Sequence, residues 1–402
     1  MDITLIHPSS PFLINPMVFP PLGILYLAAA LKAAGFTVQC LDLALGHTLA
    51  DIKSDVVGIS FTSAQKKEAF RTAKLLKYKT LIAGGAHPTH LPNECLAFFD
   101  YVICGEADFQ LPLLIMNLKR SKEQKRILSV LEPSYIDPIP FPDRDALPIH
   151  SYHYLINNEL STSIMTSRSC PFGCKYCAKI SNTYRAQSAH RTVAEIRHIN
   201  ENYGFKAFMI FDDTFAMNKE RLKEIIRLLK GNDFIFRCFG RANLLTEEIC
   251  MLLKEMNVVE IGIGIESGSD EILKINMKGT SREQNFQAVK NLREVGIRTK
   301  AFIIIGLPGE TINTLEETRN WLLTAMPDDV DFSVFQPMPG SDIYNHPDKY
   351  NITIDYDLVG QWYKGTPGSY QSSCSTKELT GEQIITYRDE LEAQFKKKEL
   401  LR

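Results

Sequence analysis

The chain has 402 residues, of which 45% are hydrophobic and 23% charged, with a formal net charge of −2. That length allows two or three domains with separate cores, and the near-neutral balance offers no basic field for nucleic acid. No apolar run reaches the roughly 18 residues of a membrane span, and Met1 to Ile6 lacks the basic and small-residue signals of a secretory leader, so a cytoplasmic enzyme is expected.

Five short runs rich in Val, Ile, Leu and Phe read as buried strands: Ile3 to His7, Val38 to Leu43, Val56 to Phe61, Thr80 to Gly85 and Tyr101 to Gly105. Helical stretches at Leu22 to Ala34 and Ala64 to Tyr78 lie between them, the first stopped by Gly35. The alternation predicts a doubly wound parallel sheet over residues 1–130, in which ligands bind beyond the carboxyl ends of the strands. Ser60 and Thr62 follow the third strand, Gly84-Gly85-Ala86-His87-Pro88-Thr89 the fourth, and Gly105-Glu106 the fifth. Glycine at such an end lets a flat ligand approach the backbone, and hydroxyls can donate to it. His87 and His90 read first as loop-turn residues.

Pro133, Pro138, Pro140, Pro142 and Pro148 exclude helix interior and central strand, so residues 131–158 read as an ordered or semi-rigid linker between two domains. Beyond it, Thr162 to Arg168 reads as a strand that opens onto Cys170-Pro171-Phe172-Gly173-Cys174-Lys175-Tyr176-Cys177. Three thiolates on one loop can hold three irons of a 4Fe-4S cube and leave the fourth open to a small molecule. A structural zinc site would need a fourth ligand at close spacing, and none is near. Cys40, Cys95, Cys104, Cys238 and Cys250 stand singly in apolar stretches and read as buried free thiols.

Further strands are expected at Phe205 to Asp213, Phe234 to Asn243, Val258 to Gly268, Arg298 to Gly309 and Asp331 to Gln336, which makes six βα repeats over residues 159–340. Thr192-x-x-Glu195 and Ser281-x-x-Gln284 read as capping boxes, and Asn218 and Thr246 as N-caps. In such barrels the reacting groups gather at the carboxyl ends of the strands. There the chain places Asp212-Asp213, of which one should face a site, the bidentate cation Arg241, and Glu266 on an apolar strand flanked by glycines, where a carboxylate needs a partner. Residues 341–402 read as a loop-rich stretch with scattered Tyr344, Tyr350, Tyr356, Trp362, Tyr363 and Tyr370, then a helical tail that ends in Lys396-Lys397-Lys398. Aromatic residues at such irregular spacing usually pack. Cys374 reads most plainly as a loop cysteine, though a thiol there could also give up a hydrogen atom.

The three-cysteine run and the strand ends that follow it resemble the radical S-adenosylmethionine (SAM) superfamily. The first region, with its Pro20-Pro21-Leu22-Gly23 helix start, Val57-Gly58-Ile59-Ser60 and the Gly84 to Thr89 loop, is similar to the cobalamin-binding domain that precedes the barrel in one large class of those enzymes. The resemblance implies a partial (β/α)6 barrel, a cluster held by Cys170, Cys174 and Cys177, and SAM bound by Asp213, Arg241, Glu266, Ser267, Gly268, Gly306 and Pro308. For cobalamin it implies Ser60, Thr62, Gly84, Gly85 and His87. The chain lacks the Asp-x-His-x-x-Gly motif whose histidine binds cobalt in many cobalamin proteins. The implied chemistry is reductive SAM cleavage to a 5′-deoxyadenosyl radical that takes hydrogen from a small-molecule substrate, with electrons from a flavodoxin-type donor. Cobalamin-dependent C-methylation leads, ring formation is also known in that class, and a cobalamin-independent dehydratase or epimerase and a non-enzymatic iron-sulfur redox sensor stand as alternatives.

Overall fold

A computed structural model of the chain describes every residue except 11, 12, 14, 121–125, 131, 361–370 and 397–402. Trp362, Tyr363, Tyr370, Lys397 and Lys398 therefore lie outside the described residues, as does the side chain of Lys396. The chain divides into two units, Met1–Tyr154 with Lys179–Ala186, and Leu155–Ala178 with Gln187–Arg402.

In the first unit, β1 (Ile3–His7), β2 (Val38–Asp42), β3 (Val56–Ser60), β4 (Thr80–Gly84), β5 (Tyr101–Cys104) and β6 (Ile127–Ser129) form a sheet in the order β2-β1-β3-β4-β5-β6. Every neighbour pair is parallel. Helices α1 (Leu22–Ala33), α2 (Lys66–Leu75), α3 (Ala86–His90), α4 (Pro92–Cys95) and α5 (Gln110–Lys119) connect the strands. Alternation along β1 sends Ile3 and Leu5 into one core with Ile24, Leu25 and Leu31, and Ile6 into another with Val57, Ile59 and Phe61. Three of the differences from the sequence reading have local causes. Strand β2 stops at Asp42 because its carboxylate accepts from Ala44 N–H and starts a 3-10 turn. Strand β6, with three residues, is too short to carry a period. The proline-rich stretch buries Ile136, Ile139, Leu147, Ile149 and Tyr152, and up to Tyr154 it is ordered structure that belongs to the first unit.

In the second unit the strands are β7 (Leu155–Ile156), β8 (Glu159–Ile164), β11 (Ala207–Ile210), β12 (Ile235–Gly240), β13 (Val258–Glu266), β14 (Arg298–Ile305) and β15 (Asp329–Val334), ordered β15-β14-β13-β12-β11-β8-β7. Two-residue strands β9 (Ser167–Arg168), in this unit, and β10 (Arg185–Ala186), in the first, complete the numbering to that point. Six strands are parallel and only β7 runs against its neighbour. Helices α6 (Ala189–Tyr203), α7 (Lys219–Leu229), α8 (Glu247–Glu255), α9 (Asp270–Ile275), α10 (Arg282–Glu294) and α11 (Ile312–Ala325) return the chain between the strands, which makes the partial βα barrel. Asn218, Thr246 and Ser281 cap their helices as expected. Thr192 does not, because Ser188 caps α6 one turn earlier and leaves Thr192 buried inside it.

One face of this sheet is apolar and fully buried, with Phe208, Phe236, Ile261, Ile263, Ala301, Ile303 and Phe332. The opposite face carries Arg237 on Glu260 at 2.7 Å, Lys300 on Asp329 at 2.7 Å, and Phe239 and Phe302 with ring centroids 6.0 Å apart. The C-terminal region holds more regular structure than its sequence suggests: α12 (Asp342–Asn345), an antiparallel pair β16 (Ile352–Ile354) and β17 (Cys374–Thr376), and α13 (Gly381–Lys396). Arg388 of α13 donates to the Phe332 carbonyl of β15. Tyr344 and Tyr356 meet edge to face at 5.6 Å, a packing role.

Candidate active site

The three-cysteine loop is tied down at both ends. Ahead of it, Asp212 is fully buried and accepts from the N–H and hydroxyl of both Thr166 and Ser167, at 2.6 to 3.0 Å. The two adjacent carboxylates therefore separate as strand geometry requires, with Asp212 as the loop anchor and Asp213 exposed. Ser169, at φ +67°, turns the chain into the loop. Within it the Lys175 N–H donates to the Asn276 carbonyl and the Cys177 N–H to that of Cys174.

Cys174 is buried, Cys170 partly so and Cys177 exposed. The Cys174 thiol is held down at about 4 by a hydrogen bond from Cys177, with the cations Lys278 and Arg241 adding to it. Such a thiol is a thiolate at neutral pH, the form that binds iron. Among the described residues no group of three or more His, Cys, Asp or Glu converges on one ion. A cube takes one thiolate per iron from around its corners, so it does not call for convergence. The donor set fits such a cluster.

Glu266 ends β13 at φ +65°, just past a register shift between Gly264 and Glu266. Its Oε1 accepts from Lys278 Nζ at 2.8 Å, and both side chains are close to nine-tenths buried. Lys278 is the partner the sequence reading asked for and did not find. The signal was present in Asn276-Met277-Lys278-Gly279, where Met277 (φ +49°) and Gly279 (φ +69°) turn the chain back. The Tyr176 hydroxyl is buried without a hydrogen-bond partner, and burial, then Glu266, pushes its pKa well up.

Other expected residues are placed differently. Arg241, read as a fork for a carboxylate, directs Nη1 to Cys174 Sγ at 3.6 Å and Nε to Asn243 Oδ1 at 3.0 Å, and lies 3.9 Å over the Phe172 ring. Ser267 turns its hydroxyl to Thr318 of α11, and Gly268 donates there too. A Cβ on Gly268 would come within 2.7 Å of Thr318 Cα, so this glycine serves helix packing. Gly306, at φ +95°, donates to Glu310 Oε2, and the Pro308 carbonyl accepts from Asn276 Nδ2. Cys374 sits in an apolar cluster with Cys174, Tyr176, Leu307 and Phe335; burial raises its thiol to about 12, and Sγ faces the Phe335 carbonyl.

In the first unit, Ser60 and Gly84 close their strands side by side, and Gly85 follows at φ +98°. A Cβ on Gly85 would come within 2.8 Å of the Phe61 carbonyl, which is why glycine stands there. Thr62 caps a 3-10 turn with Gln65. The stretch after Gly85 is a short helix, and His87 within it is 1% exposed, with Nδ1 on Ser63 and Nε2 on Glu94. Burial lowers it to about 4. Both ring nitrogens are thus engaged within the first unit, by Ser63 and Glu94.

Two family descriptions match the chain in succession: a B12 binding domain over residues 16–115 and the Radical SAM superfamily over residues 164–322. An uncharacterized methyltransferase of Pyrococcus horikoshii is 30% identical over 96% of this chain and 90% of its own length. The anaerobic magnesium-protoporphyrin IX monomethyl ester cyclase of Rubrivivax gelatinosus is 25% identical over 81% of this chain and 66% of its own. The fold is that of the radical S-adenosylmethionine methyltransferase TsrM of Kitasatospora setae, solved with cobalamin and a 4Fe-4S cluster bound, with a TM-score of 0.73 at 17% identity over 88% of this chain and 77% of that one. Among the described residues no helix is long and apolar enough to cross a membrane. With both domains in one chain, this protein is an enzyme of the radical SAM superfamily, in the class that carries a B12 binding domain ahead of the barrel.

Proposed function

We propose that the protein is a cobalamin-dependent radical SAM enzyme that methylates a carbon of a small-molecule substrate. The observation that carries the reading is the joint presence in one chain of the three-cysteine loop and a parallel sheet whose Ser60 and Gly84-Gly85 ends suit a flat ligand. When bound, the cluster supplies the electron that cleaves SAM to methionine and a 5′-deoxyadenosyl radical, and cobalamin supplies a carrier for the methyl group.

The chain's own part is to bind and orient. Cys170, Cys174 and Cys177 each take one iron. Glu266, held in place by Lys278, accepts from a donor of SAM, and Asp213 at the mouth accepts from its amino group. The Gly306 to Pro308 loop would hold the adenine. Ser60, Gly84 and Gly85 line the cobalamin site. Burial of Tyr176, Glu266 and Lys278 excludes water from the region where a radical would be quenched. The methyltransferase of Pyrococcus horikoshii supports the methyl-transfer reading. The cyclase of Rubrivivax gelatinosus favours a second one, in which the substrate radical closes a ring.

The test is anaerobic purification from cells given hydroxocobalamin, with iron, sulfide and cobalamin quantified, then turnover with dithionite and a low-molecular-weight cell extract. Stoichiometric cobalamin with about four irons, and formation of both S-adenosylhomocysteine and 5′-deoxyadenosine, is the expected result. Deoxyadenosine without S-adenosylhomocysteine would replace methylation by ring formation. A cluster without cobalamin would overturn the proposal.

A further inference from the structure

Arg241 is 6% exposed, and among the described residues no carboxylate pairs with it. A buried cation without an anion is costly, because burial removes its hydration with nothing to replace it. The neighbouring buried cation Lys278 has Glu266 at 2.8 Å. What Arg241 has is sulfur: Nη1 donates to Cys174 Sγ at 3.6 Å, while Nε is fixed by Asn243 at 3.0 Å and the guanidinium lies on the Phe172 ring at 3.9 Å. Gly279 leaves room on the other side, since a Cβ there would come within 3.1 Å of Nη2. The guanidinium is thus boxed in with one edge on a sulfur that the reading above gives to iron.

We propose that Arg241 is a positioning residue that raises the reduction potential of the 4Fe-4S cluster through a charge-assisted hydrogen bond to the Cys174 sulfur. This inference rests on the cluster assignment under Proposed function. Reduction adds one electron, taken from a low-potential one-electron donor, to an assembly that already carries its thiolate charges; no bond forms or breaks in that step. A fixed cation at a ligand sulfur stabilises the added charge, and hydrogen bonds to sulfur and net charge are among the factors that set such potentials. Because the site is buried, water screens the guanidinium little. Arg241 therefore shares the work of making the cluster reducible with whatever protein feeds it electrons. The planar guanidinium suits the task better than an ammonium would, because it can stack on Phe172 and hold a fixed direction toward sulfur at once.

The experiment is a redox titration of the reconstituted full-length enzyme without SAM, followed by electron paramagnetic resonance of the reduced cluster, in the parent, Arg241→Gln, Arg241→Lys and Asn243→Ala. Iron and sulfide are counted first: if the parent takes up no cluster, the cluster assignment itself fails, separately from this inference. With four irons retained, Arg241→Gln should lower the midpoint by about 59 mV or more, a tenfold loss in the one-electron equilibrium. Arg241→Lys, which keeps the charge, should recover at least half of that shift. Asn243→Ala, which frees Nε and leaves the charge, should shift the midpoint in the same direction by less. A Gln variant with an intact cluster and the parent's midpoint overturns the proposal. It is equally overturned if that variant weakens SAM binding about tenfold with the midpoint unmoved, because the guanidinium would then serve the SAM carboxylate. Should the Gln variant lose its iron, the Lys and Asn243→Ala midpoints decide, and both lying at the parent's value overturns it.

Discussion

At the scale of single residues the site depends on side chains that are absent as much as on those present. Strand β13 runs Gly262-Ile263-Gly264-Ile265-Glu266, with glycine at two successive positions on the half-open face of the sheet. A Cβ on Gly262 would come within 2.7 Å of both the Phe239 and Phe302 rings. One on Gly264 would collide with Glu266 Oε1 and lie 2.9 Å from Lys278 Nζ. The two substitutions should therefore differ in kind. Gly262→Ala crowds two rings, so it should cost about 1 to 3 kcal/mol of stability and leave ligand affinity near the parent's. Gly264→Ala displaces the Glu266–Lys278 pair and should weaken SAM binding by about tenfold or more, with iron content unchanged. Equilibrium dialysis with labelled SAM on both variants is the check, and equal affinities would take the ion pair out of the SAM site.

At the scale of elements, the loop from β14 to α11 is held by a buried acid. Glu310 is fully buried; Oε2 accepts from Gly306 N–H at 2.6 Å, and Oε1 has no partner. Burial raises its pKa from 4.5 to about 8 in spite of hydrogen bonds from the Gly306 and Leu307 backbone. The folded state thus keeps a proton that the unfolded chain has lost, and the contribution of Glu310 to stability is fully present below 4.5, is lost as pH rises to about 8, and is constant beyond it. The slope in that window is at most about 1.4 kcal/mol per pH unit. Glu310→Gln removes the titration, so its Tm relative to the parent should climb between pH 5 and 8; parallel curves would show that the acid is not protonated. Elements of this kind are only partly legible in sequence. The eleven expected strands all exist, because buried parallel strands write continuous apolar runs. Their ends were overrun by one to several residues, since Leu43, Phe211 and Leu307 look apolar while the backbone there has already left the ladder. Candidates for the site stand out in sequence where the residue type itself is unusual for its place, as for the three cysteines on one loop and Glu266 on an apolar strand. The site was not legible where a role depends on contacts far apart in sequence, as for Lys278, for Arg241 on Cys174, or for Ser267 on Thr318.

At the scale of the whole molecule, the chain is two units that each bury their own core. In the first unit Ile3, Leu5 and Ile24 fill one side of the sheet and Ile6, Val57 and Phe61 the other. In the second, Cys174 and Tyr176 of the cysteine loop pack with Ile272, Leu307, Phe335 and Cys374, all from that unit. The residues assigned to cobalamin come from strand ends of the first unit and those assigned to the cluster from the second. Because each set of residues belongs to a unit with its own core, the two cofactors should load independently. A Cys170→Ala/Cys174→Ala/Cys177→Ala protein should contain no iron and still bind cobalamin at the parent's stoichiometry. Gly85→Val should do the reverse: at φ +98°, with the Phe61 carbonyl 2.8 Å from its Cβ position, the branched side chain must shift the turn after β4, costing roughly 1 to 3 kcal/mol in that turn alone. That variant should lose cobalamin and keep its iron. His87→Ala is the control: without Ser63 and Glu94 as partners the first unit should melt lower, while the visible spectrum of bound cobalamin, which reports whether a histidine sits on cobalt, should not change. Iron and cobalamin counts in these three proteins decide the matter. If the triple cysteine variant loses cobalamin together with iron, the two cofactors do not load independently, and the assignment of cobalamin to Ser60, Gly84 and Gly85 alone fails.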